Sequence, residues 1–120
     1  MARRNVFGKM PDTQFELLGI SGSLRREASS TAVLRTIAGR LPAAAALAIA
    51  PLLELPLYNE DEDRPEALHA IDAFRRAIER ADGLIIVSPE YNHGMSGVLK
   101  NAVDLVSRPG YESVLKNKPV

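Results

Sequence analysis

Two short polar segments contain most of the residues whose types and spacing could bind a ligand. The first is Ser21-Gly-Ser-Leu-Arg-Arg-Glu-Ala-Ser-Ser-Thr31, which lies between an apolar run and a helical pattern. Glycine, serine and threonine before a helix offer an anion backbone N–H groups, hydroxyl groups and the positive end of the helix dipole. Arg25 adds a permanent positive charge with forked donors. The segment therefore predicts a phosphate cradle, and the alternative is a loop of turn-forming residues with ordinary helix caps.

The second segment, Ser88-Pro-Glu-Tyr-Asn-His-Gly-Met-Ser-Gly97, follows an uninterrupted branched apolar run. Pro89 and Gly94 let the backbone turn sharply. Tyr91 offers an aromatic face, and Glu90 and Asn92 offer polar edges. Such a cluster suits a flat heteroaromatic ring that also carries polar edges. The alternative is a polar turn with one solvent-facing tyrosine. His93 is expected to be an exposed loop residue rather than a general base, because the sequence identifies no partner acid.

Composition excludes several other classes of function. The chain of 120 residues is long enough for one domain, and its 15 basic and 15 acidic residues cancel. That balance argues against nucleic-acid binding and against a polybasic membrane anchor. The absence of cysteine and the presence of only 2 histidines predict no metal site. The acidic run Glu60-Asp-Glu-Asp63 is interpreted as solvated, near the start of a helix, rather than as a cation site. No signal sequence or membrane span is predicted, so a cytoplasmic location is expected.

Hydrophobic periodicity predicts the elements that position the two segments. Residues 1–14 are expected to be a flexible tail, and residues 15–120 a single domain. Strands are predicted at Phe15–Ser21, Ala46–Leu53 and Gly83–Ser88. Three helices are predicted: the first is capped by Ser30 or Thr31 and stopped by Pro42, the second begins at Pro65, and the third ends at Arg108-Pro-Gly110. This β-α-β-α-β-α order predicts a parallel sheet with helices on both faces. Ligands of such folds bind beyond the carboxyl ends of the strands, where both polar segments begin.

Through four motifs taken together, the chain resembles a known family, the NADPH-dependent FMN reductases. The motifs are Gly22-Ser-Leu-Arg25, Leu55-Pro-Leu-Tyr-Asn-Glu-Asp61, Ser88-Pro-Glu-Tyr-Asn92, and Gly97-Val-Leu-Lys-Asn-Ala102 with Ser107-Arg-Pro109. The family includes bacterial chromate reductases, azoreductases and quinone reductases. The motifs stand in the family's order and spacing across most of Phe15–Val120, and as a set they are specific.

The resemblance implies a flavodoxin-like, doubly wound parallel sheet in three α/β/α layers that binds FMN. NADPH or NADH would supply a hydride, and quinones, azo compounds or metal oxyanions would receive the electrons. By this resemblance the FMN phosphate is held by Ser23, Arg25, Ser30 and Thr31, and the ribityl chain and ring by Pro89, Glu90, Tyr91, Asn92 and Gly94. No catalytic acid or base is assigned, because the flavin carries the redox chemistry. In the family the first loop often reads Arg-x-x-Ser-x-Asn, and this chain departs from that pattern with Ala28 and Ser30 at the corresponding positions.

The resemblance also implies a homodimer or homotetramer in which a partner subunit helps to close each flavin site. Tyr58 is expected to pack on a neighbouring subunit, to cover part of the flavin pocket, or to anchor its own long loop. The sequence ends at Lys118-Pro-Val120, where the family begins its fourth strand, so the domain is expected to lack the usual last two strands. The alternative function is therefore a flavodoxin-like fragment without catalysis that acts as a binding or interaction module, or as a vestigial product.

Overall fold

The computed structural model describes residues 15–120, so the predicted tail at residues 1–14 lies outside the described residues. The main elements are β1 (Phe15–Ser21), α1 (Ser29–Arg40), β2 (Ala45–Ile49), α2 (Pro65–Arg80), β3 (Gly83–Val87) and α3 (Gly97–Val106). Between β3 and α3 lies a small hairpin of β4 (Glu90–Tyr91) and β5 (Gly94–Met95), and a 3₁₀ turn at Gly110–Glu112 follows α3. The predicted alternation of strands and helices is confirmed.

The three long strands form a parallel sheet in the order β2-β1-β3. Leu17 of β1 lies opposite Leu47 of β2 and opposite Gly83 of β3. Successive parallel strands require crossover connections, which α1 supplies from β1 to β2 and α2 supplies from β2 to β3, on the other side of β1. The flavodoxin-like, doubly wound prediction is therefore confirmed.

Successive side chains of β1 lie on opposite faces of the sheet, and each face is covered by helices. Leu18 and Ile20 are buried in one core together with Phe74 of α2 and Leu99 of α3. On the opposite face, Gly19 leaves room for α1, because a Cβ there would lie 3.0 to 3.3 Å from side-chain atoms of Leu47 and Leu34. The helices thus cover both faces of the sheet, which gives the three layers predicted from the sequence.

The second strand is shorter than predicted. It ends at Ile49 rather than Leu53, although the Ala50 N–H still donates to the Gly19 carbonyl at 2.8 Å. Pro51 follows, and its ring nitrogen has no hydrogen to continue the ladder. The apolar residues after Pro51 therefore leave the sheet.

The predicted cap of α1 is wrong. The N-cap position is Ala28, which makes no side-chain hydrogen bond to the helix, and Ser30 and Thr31 lie in the first turn. Pro65 begins α2 as predicted, and Ser96 caps α3 by accepting a hydrogen bond from the Leu99 N–H at 3.2 Å.

The outer edge of β3 contacts residues near position 119. There the Leu84 N–H donates to the Pro119 carbonyl at 2.9 Å. Within residues 15–120, no helix is long and apolar enough to cross a membrane.

Candidate ligand site at the strand ends

The first loop, residues 22–28, is anchored beneath by a cluster of hydroxyl groups. The Ser21 Oγ lies 2.9 Å from the Ser30 Oγ and accepts a hydrogen bond from the Thr31 Oγ1 at 2.9 Å. Ser21 and Ser30 are both buried. The hydroxyls of Ser30 and Thr31 thus bond to the end of β1, which fixes the first turn of α1 relative to the sheet. Sequence reasoning did not assign a role to Ser21.

The start of α1 offers its backbone donors to an anion. The first turn contains no acidic residue and no side-chain cap, so its first N–H groups have no capping side chain as acceptor. Arg25 is exposed beside this turn, and its own N–H donates to the Ser23 Oγ at 3.2 Å. Free amides, the positive end of the helix dipole and a guanidinium together favour a phosphate group.

The second loop, residues 88–96, is built around the β4–β5 hairpin. At its tip, Asn92 and His93 adopt left-handed backbone conformations, with φ of 51° and 62°. Two consecutive residues of positive φ form the type I′ turn that matches the twist of a tight hairpin. The hairpin places Tyr91, which is 60% exposed, beside the first loop.

The two loops touch at Gly22. A Cβ there would lie 2.3 Å from the Ser88 Oγ and 2.9 Å from the Ser88 Cα, so no larger residue fits without movement. The buried Ser96 Oγ donates to the Gly22 carbonyl at 2.6 Å and also caps α3. One hydroxyl therefore joins the first loop, the second loop and the third helix. Sequence reasoning missed this role, although a serine just before an apolar helical pattern is a recognisable N-cap signal.

Between the loops lies a cavity of about 360 Å³, here called the strand-end cavity. It is lined by Ser23, Arg25, Ala28, Ser29, Ser30, Val33, Val87, Ser88, Pro89 and Tyr91. Five of the nine predicted ligand-binding residues are in this lining. The other four, Thr31, Glu90, Asn92 and Gly94, lie in the same two segments but do not line the cavity. Thr31 bonds to Ser21, and the other three shape the hairpin.

Two larger cavities lie elsewhere, with volumes of about 450 and 590 Å³. They share Pro51, His69, Ala73 and Ala77 and form one continuous depression along α2, here called the α2 groove. The α2 groove is mainly apolar and lies away from the carboxyl ends of β1 and β3. The α2 groove has the larger volume, but the strand-end cavity combines hydroxyls, a guanidinium and a free helix N-terminus, which the α2 groove does not. That convergence at a topological switch point identifies the candidate ligand site.

His93 is exposed, as expected, but it has an acidic neighbour. Its Nδ1 lies 3.5 Å from the Glu90 Oε1 of the same hairpin. His93 therefore has an acidic neighbour that the sequence did not reveal. Both side chains are exposed and neither lines the strand-end cavity.

In the acidic run before α2, one carboxylate is paired with an arginine. Glu62 accepts two hydrogen bonds from the Arg64 guanidinium, at 2.9 and 2.7 Å, and this contact lowers the pKa of Glu62 to about 2. Residues 15–120 contain no group of three or more side chains that could hold a metal ion.

Tyr58 is tied to α3 rather than to the strand-end cavity. Its N–H donates to the Asn101 Oδ1 at 2.8 Å, and the Asn101 Nδ2 donates to the Pro56 carbonyl at 2.8 Å. The Arg108 guanidinium lies 5.4 Å from the centre of the Tyr58 ring. Asn101 therefore fixes the segment before α2, and Tyr58 does not cover the cavity.

Comparison with known proteins matches residues 15–120 to the family described as NADPH-dependent FMN reductase. An NAD(P)H-dependent FMN reductase of Pseudomonas aeruginosa is 42% identical over 104 residues, which are 87% of this chain and 56% of that protein. A 2-hydroxy-1,4-benzoquinone reductase of a Burkholderia species is 42% identical over 102 residues, 83% of this chain and 54% of that protein. The chain thus spans a little over half the length of these relatives.

Among solved structures, the flavoenzyme FerB of Paracoccus denitrificans, an NAD(P)H:(acceptor) oxidoreductase, superposes with a TM-score of 0.72 at 26% identity. The match covers 88% of this chain and 57% of FerB. The similarity in three dimensions therefore extends over nearly all of the described residues.

Proposed function

Because the chain belongs to the NADPH-dependent FMN reductase family, we propose that its strand-end cavity binds FMN and that the protein reduces quinone-like acceptors with NADPH or NADH. Relatives named quinone reductase and 2-hydroxy-1,4-benzoquinone reductase support a quinone as the acceptor. Azo compounds and metal oxyanions are further proposed acceptors. When bound, FMN would supply the redox chemistry that links hydride donation by the nicotinamide to reduction of the acceptor.

The residues of the cavity fit a phosphate ester joined to an aromatic ring. At one end, the amides of the first turn of α1, the Ser23 hydroxyl and the Arg25 guanidinium would bind the FMN phosphate. Ser30 and Thr31 would contribute through backbone N–H groups, because their hydroxyls bond to Ser21. This donor set, gathered at the start of a helix without an acidic first turn, is the observation that carries the proposal.

At the other end, Pro89 and Tyr91 would contact the ribityl chain and the ring. Glu90, Asn92 and Gly94 would keep the hairpin in place along the ring edge. A cavity of about 360 Å³ falls within the range of small-molecule sites. We propose a cytoplasmic homodimer or homotetramer, without nucleic-acid or membrane partners.

The second candidate function is that of a binding or interaction module. In this alternative, the chain is a flavodoxin-like module that does not catalyse electron transfer. The two candidates differ in FMN affinity and in the response of bound flavin to NADPH.

The test is titration of the purified protein with FMN, followed by flavin fluorescence and thermal unfolding. A ligand that binds only the folded state raises the melting temperature as its concentration exceeds Kd. Arg25→Ala is expected to weaken FMN binding about tenfold to a hundredfold, because a hydrogen bond to a charged group contributes about 1.5–3 kcal/mol.

Arg26→Ala is the matched control, since Arg26 is the exposed neighbour that does not line the cavity. Equal FMN affinity in the two variants would contradict the phosphate assignment. Bleaching of bound flavin by NADPH favours the reductase, whereas a protein that gains no thermal stability with FMN favours the non-catalytic module.

A further inference from the structure

The α2 groove is larger than the strand-end cavity, and small residues at the end of β2 explain it. Ala48 of this strand and Ala50 just after it line the groove, and their side chains are too small to fill the space beside α2. Leu18, Ala48 and Ala50 form one side of the groove, and α2 forms the other. Exposed apolar depressions of this kind mark interaction surfaces when a defined partner fits them.

The face of α2 that lines the groove has small residues at its centre and charged residues at its two ends. Six of its residues recur every three or four positions along one stripe: Glu66, His69, Ala70, Ala73, Ala77 and Arg80. Asp72 and Arg76 also line the groove, beside the stripe, and pair with each other at 2.9 Å. The centre of the stripe is alanine, which allows a second helix to approach closely. Its two ends carry opposite charges, Glu66 in the first turn and Arg80 in the last.

This pattern is complementary to itself under two-fold rotation. Ala73 lies midway between Glu66 and Arg80, and a rise of 1.5 Å per residue places each charge about 10 Å from it along the helix. When two α2 helices pair antiparallel about Ala73, Glu66 of each copy faces Arg80 of the partner subunit. A parallel pairing would place like charges together. We propose that the α2 groove is a two-fold interface between two copies of this chain.

Other features of the described residues leave this surface available. Neither Glu66 nor Arg80 forms an ion pair within residues 15–120. The contact between Leu84 and Pro119 lies at the outer edge of β3, whereas the groove lies beside β2 at the opposite edge of the sheet. The groove shares no lining residue with the strand-end cavity. The interface would therefore join two copies without closing the candidate flavin site.

Charge reversal tests the proposal in the full chain, with molar mass measured by sedimentation or by light scattering after gel filtration. Glu66→Arg or Arg80→Glu alone creates two like-charge contacts across the axis. Each single variant is expected to raise the dissociation constant of one step, dimer to monomer or tetramer to dimer, at least tenfold. The double variant Glu66→Arg/Arg80→Glu restores opposite charges and is expected to regain the wild-type mass.

The double variant separates assembly from helix stability. Each reversal opposes the dipole of α2, so the two costs to the helix add in the double variant, whereas the interface is repaired. Thermal unfolding of all three variants provides that comparison, and Arg35→Glu on the exposed surface of α1 is the control for charge alone. A wild-type monomer, an unchanged mass in the single variants, or a double variant no better assembled than the singles would overturn the proposal. FMN titration of the same variants is expected to be unchanged, so the outcome is independent of the proposed function.

Discussion

The first and second loops both border the strand-end cavity, but they are stabilised in different ways. The first loop depends on groups outside it: Ser96 donates to Gly22 across 74 positions, and Ser21, just before the loop, bonds to Ser30 and Thr31 of α1. The second loop depends mainly on its own hairpin, with Glu90 paired to Met95 and Tyr91 to Gly94. Tertiary contacts therefore fix the loop assigned to the phosphate, whereas local turn chemistry fixes the loop assigned to the ring.

The comparison predicts that the largest loss of stability follows from enlarging Gly22. In Gly22→Ala, the new methyl group would meet the backbone of Ser88 at 2.9 Å, and backbone cannot rotate away. We expect a loss of about 3 kcal/mol in the free energy of unfolding, at the upper end for overpacked sites. Chemical denaturation measures it.

Gly39→Ala is the matched control, because a Cβ at this position in α1 meets nothing within 4 Å. It is expected to stabilise the protein by about 1 kcal/mol through helix propensity. Similar effects of the two substitutions would refute the close approach of the loops.

A smaller loss is expected for Ser96→Ala, which removes two interactions of one buried hydroxyl. The helix loses its cap, and the Gly22 carbonyl loses its donor. We expect a loss of about 2 kcal/mol by denaturant unfolding. Thr36→Ala, which removes an exposed hydroxyl bonded within α1, is expected to change the stability by less than about 0.5 kcal/mol. A loss at Ser96 no greater than at Thr36 would mean that the first loop does not depend on Ser96.

The smallest effect, and one of opposite sign, is expected at the tip of the second loop. His93 has a positive φ, which costs about 1–2 kcal/mol for a residue with a Cβ. His93→Gly removes this cost but adds the entropy of glycine in the unfolded chain, so we expect a net gain of about 0.5–1 kcal/mol. His93→Ala keeps the Cβ and is the control, expected to show no gain. If His93→Gly destabilises the protein, the contact between His93 and Glu90 contributes more stability than relief of the positive φ.

The same division explains which parts of the fold could be predicted from the sequence. The bounds of β1 are as predicted, and β3 differs by one residue, because uninterrupted apolar runs report burial on both faces. The end of β2 was placed four residues too late, since apolar content continued after Pro51 had ended the ladder.

For the candidate site, sequence patterns located both loops but not the contacts between them. The motif residues Arg25 and Tyr91, which line the strand-end cavity, could be proposed from the sequence because the chemistry of each is local. The linking roles of Ser21 and Ser96 depend on which elements become neighbours after folding, which no pattern within either loop records. The predicted helix cap at Ser30 failed for the same reason, since its hydroxyl bonds to the end of β1 instead.

The close approach at Gly22 has a consequence for how the sequence can vary. Positions 22, 88 and 96 share one small volume, in which each side chain occupies space or supplies a bond that the other two require. Substitutions tolerated at one of them will therefore depend on the residues at the other two. In a combinatorial library, the surviving sequences should show correlated choices at these three positions and independent choices at Asn92 and His93.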